Sequence, residues 1–141
     1  MFKNINWLAV AVAVILLEVI GYVYYGIVVR DAWSAAYTAS LGRAPNDSNM
    51  AIMQSIGVIN TIIIVSGLAW ALPRLGIGGT AMIGTAFAVW LFFNFTTMAV
   101  DYIYMGMSTT LVGINIGFQL ISYLVAGAVL GMWPAKAAEP S

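Results

Sequence analysis

The sequence predicts an all-α membrane protein, a four-transmembrane-helix up-down bundle with a short interfacial helix after the first span. Three observations predict it. Of 141 residues, 62% are hydrophobic and 7% charged, with a mean hydropathy of +0.97; a soluble domain carries about 25% charged residues. Apolar runs at about residues 5–29, 50–72, 77–100 and 110–133 each reach the roughly 20 residues that cross a hydrocarbon core of about 30 Å. The stretches between them are short and rich in Pro, Gly or polar residues. That leaves one transmembrane domain over 1–141 with a polar C-terminal tail at 134–141.

The same composition removes whole classes of chemistry. Five basic and five acidic residues cancel, so there is no case for nucleic acid or polybasic lipid binding. The chain has no Cys and no His. Thiolate nucleophiles, disulfides, Ser-His catalysis and imidazole ligation of zinc or haem are therefore out of reach. The residues point to no catalytic group, no cofactor and no metal site, and the expectation is a protein that is not an enzyme.

The first run is longer than the apolar core of a signal peptide, about 7–15 residues, and it contains Glu18, so a retained helix is expected. Glu18 lies eleven positions from both Trp7 and Val29, roughly 16 Å from either end at 1.5 Å per residue. A carboxylate there is too short to snorkel and needs a partner, a wet cavity or a proton. The cheapest state is a neutral acid donating to Gln119 or Asn60 and accepting from Thr61 or a tyrosine hydroxyl. Glu18, Tyr22, Tyr25 and Val29 share a helix face.

The next stretch repeats Trp33, Tyr37 and Leu41 every four residues, the mark of an amphipathic interfacial helix ended by Gly42. A plain loop with two aromatic anchors fits the same residues. Residues 43–49 form a polar turn whose Ser48 or Asn49 can cap the second span. That span is expected to stop at Pro73. Met53, Gly57, Asn60, Ile64 and Gly67 form one stripe along it. In the third span Trp90, Asn94, Thr97 and Asp101 fall in a narrow arc.

The fourth span carries two stripes. Asn115, Gln119, Ser122 and Ala126 make a polar one; Gly113, Gly117, Gly127 and Gly131 belong to the other. Small residues let backbones approach closely in lipid. This glycine face is a candidate helix-packing or oligomer surface, serving either the internal bundle or another chain. Glu18, Asn60, Thr61, Gln119, Asn94 and Asn115 make a candidate intramembrane polar cluster, as the lining of a pocket or as interhelical glue.

Asn6-Trp7-Leu8-Ala9, the Gly-aromatic-Tyr cluster of the first span and Ala32-Trp33 are similar to the first half of the four-span bacterial membrane proteins grouped as DUF1761. The stretch from Trp90 through DYIYMG to GFQLISYLVAGAVLGMW is similar to the second half. The resemblance implies a four-helix protein of a bacterial inner membrane and implies no activity. The family pattern often has His where this chain has Gln119, a departure that removes a titratable or metal-binding group.

Lys3, Arg74 and Lys136 against Arg30 and Arg43 favour both termini in the cytoplasm. The expected partners are the lipid bilayer and other membrane-protein subunits or a second copy. The leading function is a structural or accessory subunit. The other reading is a small-solute or proton-coupled transporter using Glu18.

Overall fold

A computed structural model describes residues 5–45 and 49–133. Lys3, Asp47, Ser48 and the tail 134–141 lie outside them, so the basic-residue count at the chain ends and the Ser48 cap are not placed. The described chain is all-helical: α1 (Trp7–Val23), α2 (Arg30–Leu41), α3 (Met50–Arg74), α4 (Ala81–Val89), α5 (Thr96–Tyr104) and α6 (Thr109–Met132). Two π-helical stretches, Tyr24–Val28 and Trp90–Phe95, prolong α1 and join α4 to α5. Four helices are thus long and apolar enough to cross a membrane: Trp7–Val28, Ala51–Arg74, Ala81–Tyr104 and Thr109–Met132. They are spans 1 to 4, and the predicted fold class stands.

Asn6 starts span 1. Its Oδ1 accepts from the backbone N–H of Ala9 at 3.1 Å, closing the first turn. Its Nδ2 donates to the carbonyl of Trp133 at 3.1 Å. One side chain therefore fixes the beginning of span 1 to the end of span 4, and this edge is the near end of the bundle. The helix breaks at Val29 (φ −113, ψ 9), and α2 leaves from there.

The amphipathic α2 is a helix rather than a loop, and it is anchored to protein. It packs on α6 with Ala36 buried and Trp33 and Tyr37 half-buried. Ser40 Oγ accepts from the N–H of Ser108 at 2.9 Å, while Ser108 Oγ caps α6 by accepting from Leu111. The far end of the bundle is tied by this pair of serines.

Helix α3 runs through Pro73 to Arg74, beyond the stop expected at the proline. Pro73 removes only its own N–H, and the last turn closes around it through Leu75 N–H to the carbonyls of Ala71 and Leu72. Arg74 donates from Nη1 to the carbonyl of Trp70 at 2.9 Å and stacks over that ring at 5.0 Å. Gly76 (φ +73) and Gly79 (φ +58) then adopt the left-handed backbone that turns the chain. These glycines take up the first residues of the third apolar run, so the helix begins at Ala81 rather than near Ile77.

Span 4 is the centre. Its most extensive contact is with α4, then with α1, and it also meets α2 and α3. Leu17, Val65, Leu72, Ala86, Ala126 and Leu130 pack the core around it. Span 2 is the outlier. Its C-terminal half is buried through Val65, Leu68, Ala69 and Leu72, whereas residues 51–60 are exposed apart from half-buried Val58.

Candidate functional site

The polar side chains sort into three groups, and the helices that carry them decide which. The first is a bonded cluster near the far end. Tyr25 donates from its hydroxyl to Asn115 Oδ1 at 3.0 Å, and Asn115 Nδ2 donates to the Tyr102 hydroxyl at 3.3 Å. Beside it, the Tyr24 hydroxyl donates to the carbonyl of Ile114 at 3.0 Å. One amide thus links spans 1, 3 and 4, using donor and acceptor at once. Aromatic rings surround it: Tyr24, Tyr25 and Phe118 stack at 5.1–5.5 Å, and Trp33 of α2 lies 6.1 Å from Tyr25.

Sequence spacing identified Asn115 but not its partners. A regular α-helical wheel puts Tyr25 with Tyr22 and Glu18. The structure leaves Tyr22 74% exposed while Tyr25 turns to span 4. The π-helical turn from Tyr24 onward closes through Val29 N–H to the Tyr24 carbonyl, five residues back. It shifts the register and brings both tyrosines to α6. Span 3 shows the same effect. Its π-helical stretch separates buried Trp90 and half-buried Asn94 from Thr97 and Asp101, which are exposed, and it lets Tyr102 face Asn115. No sequence signal for a π-turn exists in either stretch.

The second group is buried and unpaired. Trp90 Nε1, Asn94 Oδ1, Gln119 Oε1 and Ser66 Oγ are buried without a hydrogen-bond partner among the described residues. Asn94 stands ten residues from Tyr104 and Gln119 ten from Thr109, so both lie about 15 Å below the far end. Trp90 and Ser66, nine residues from Ala81 and eight from Arg74, lie about 12–14 Å from the near end. Spans 2, 3 and 4 therefore each place an unpaired polar atom in the middle of the bundle.

Glu18 is half-buried on span 1 and makes no hydrogen bond or ion pair with another described residue. The network expected around it is not formed. Thr61 Oγ1 donates to the carbonyl of Gly57 in its own helix at 3.0 Å, and Gln119 Oε1 is unpaired. An apolar groove of about 310 Å³ between spans 1 and 2 is lined by Trp7, Val10, Ala11, Val14, Ile15 and Ile62. With the helices antiparallel, Glu18 lies one turn beyond that groove, level with about Val58 and Ile59. This is where span 2 parts from the bundle.

The third group faces outward. Gln54 and Asn60 are exposed on the free half of span 2, and neither makes a hydrogen bond with another described residue. Asn60 is thus separated from Asn115, Asn94 and Gln119, although all four stand at bilayer depth.

The glycine face of span 4 divides as well. A Cβ on Gly127 would come within 2.9 Å of the Met82 carbonyl oxygen and 3.0 Å of Ala86 Cβ; one on Gly131 would strike the Gly79 carbonyl. Gly117 faces the Tyr24 hydroxyl at 3.3 Å, while Gly113 has nothing within 4 Å. Close approach is therefore internal and strongest at the near end, where α4 lies against α6, and it lapses by Gly113. Among the described residues there is no group of three or more acidic, Cys or His side chains placed to hold a metal.

The chain belongs to the family described as protein of unknown function (DUF1761), whose pattern matches residues 8–131. No curated protein and no solved structure matches it.

Proposed function

We propose that this DUF1761 member is a non-enzymatic subunit of the bacterial inner membrane, with both termini cytoplasmic, that assembles laterally with membrane protein. The observation that carries the reading is the exposure of Gln54 and Asn60 within span 2. An amide left unpaired in hydrocarbon costs roughly 2–7 kcal/mol, depending on the reference state. A neighbouring helix that pairs those amides removes the cost, whereas lipid tails do not. The bundle's own polar groups at the far end act to hold helices together, which also suits a scaffold role. Extraction in mild detergent tests the reading. An assembly larger than one chain is expected, and a lone monomer would overturn it.

A second reading has its own support. Trp90 Nε1, Asn94 Oδ1, Gln119 Oε1 and Ser66 Oγ are unpaired inside the bundle, and Glu18 stands near the same depth. Such groups suit the path of a proton or small polar solute, with Glu18 as the titrating residue. Glu18→Gln separates the readings. It leaves a subunit's assembly intact but abolishes proton-coupled transport in vesicles while the fold persists.

A further inference from the structure

We propose that the lateral partner is a second copy of this chain, docked along span 2 about a two-fold axis normal to the membrane. This rests on the assembly reading and names its occupant. Met53, Gly57, Asn60, Ile64 and Gly67 recur at spacings of four, three, four and three. That is a heptad seam, the spacing by which two helices keep one face in contact along their length. Most of the seam faces away from the bundle, while Ile64 packs against the bundle's own core. Met53 is 57% exposed; Gly57, Asn60 and Gly67 are exposed, and only Ile64 is half-buried. A Cβ on Gly57 or Gly67 would meet nothing within 4 Å.

A lipid-facing surface needs neither feature. Lipid accepts any apolar side chain, so it does not call for a 3.5-residue period, and it penalises the amide at the centre of the stripe. A second copy uses both. Copies of one chain insert in the same direction, so their second spans run parallel and every residue meets its equivalent at its own depth. Asn60 carries both a donor and an acceptor, so Asn60 and the partner's Asn60 satisfy each other across the axis. One turn before it and two turns after it, Gly57 and Gly67 let the two backbones close. Gln54, one turn before Gly57 at the seam's flank, is long enough to reach across the same contact. The seam carries no charge, so nothing repels an identical surface. A different protein would have to supply a matching amide at this depth, whereas the seam already matches itself.

Cross-linking in native membranes tests this on the full chain, which has no native cysteine. Single Gly57→Cys and Gly67→Cys variants, oxidised in the membrane, should give a band at twice the 15.1 kDa chain mass. Ser55→Cys, on the opposite side of the helix, should not. Adding Asn60→Leu should lower the Gly57→Cys yield about ten-fold, with Asn60→Gln retaining most of it. Equal yields at Gly57→Cys and Ser55→Cys, or no self-cross-link from the seam, overturn the proposal. A Gly57→Cys chain captured by a different protein overturns the second copy yet keeps lateral assembly. A chain that neither cross-links nor extracts above monomer size overturns both.

Discussion

Spans 2 and 4 are apolar helices of the same length, 24 residues, and each carries spaced glycines, yet they use them in opposite ways. On span 4, Gly127 and Gly131 lie against the backbone of Met82, Ile83 and Gly79. On span 2, a Cβ on Gly57 or Gly67 would meet nothing within 4 Å among the described residues. Two asparagines within the spans diverge likewise. Asn115 is held on both sides by Tyr25 and Tyr102, while Asn60 makes no hydrogen bond with another described residue. A small residue or an amide in a span therefore makes a close contact in one place and none in another. Span 4 makes its contacts within the bundle; the N-terminal half of span 2 is exposed.

The sharpest way to break this contrast is to fill the glycines. Gly127→Leu or Gly131→Leu should destabilise the bundle by about 3 kcal/mol or more, because the obstacle is backbone that cannot rotate away. A thermal melt in detergent that matches the parent would show that α4 and α6 are not closely packed. Gly113→Leu, with open space around it, should melt near the parent in the same assay.

Next in size is the amide pair. Asn115→Leu loses hydrogen bonds to both Tyr25 and Tyr102 and should cost about 1–2 kcal/mol, given roughly 0.6 kcal/mol per intramembrane bond and some loss of tyrosine pairing. Asn60→Leu should leave the monomer's melt unchanged and show its effect in assembly alone. Equal melting losses for the two would erase the distinction between the spans.

Asn6→Ala removes a helix cap and the bond to the Trp133 carbonyl, for about 1 kcal/mol. Amide exchange should quicken at Ala9 and in the last turn of span 4 together; faster exchange at Ala9 alone would mean the near-end tie is unimportant. The smallest effect belongs to Glu18→Gln, an isostere at a side chain with no hydrogen-bond or ion-pair partner among the described residues. Its melt should stay within about 0.5 kcal/mol of the parent, and a larger loss would show that Glu18 holds the bundle together.

Much of this architecture is legible in the sequence because lipid imposes simple rules. Four apolar runs of spanning length become four helices, since no other short structure satisfies its backbone in hydrocarbon. The amphipathic α2 follows from its four-residue aromatic repeat, and the importance of Asn115 and the glycine face from their positions on one wheel. Registers after Tyr24 and Trp90 are hidden, because each π-turn rotates the residues beyond it by a step that composition does not encode. Thr97 and Asp101 leave the arc of Trp90 for that reason, and Tyr102 enters it.

The sequence by itself determined the all-helical class, the number of membrane-spanning helices and the approximate position of each polar residue along its span. Position along a span follows from counting at a known rise per residue once its ends are known. Only the tertiary structure decided direction: which glycines touch a neighbour, which amide is paired, and where span 2 leaves the bundle. Direction depends on how the helices cross and on small slips of register. Those are settled by packing between segments far apart in the chain, so no single run of residues contains them.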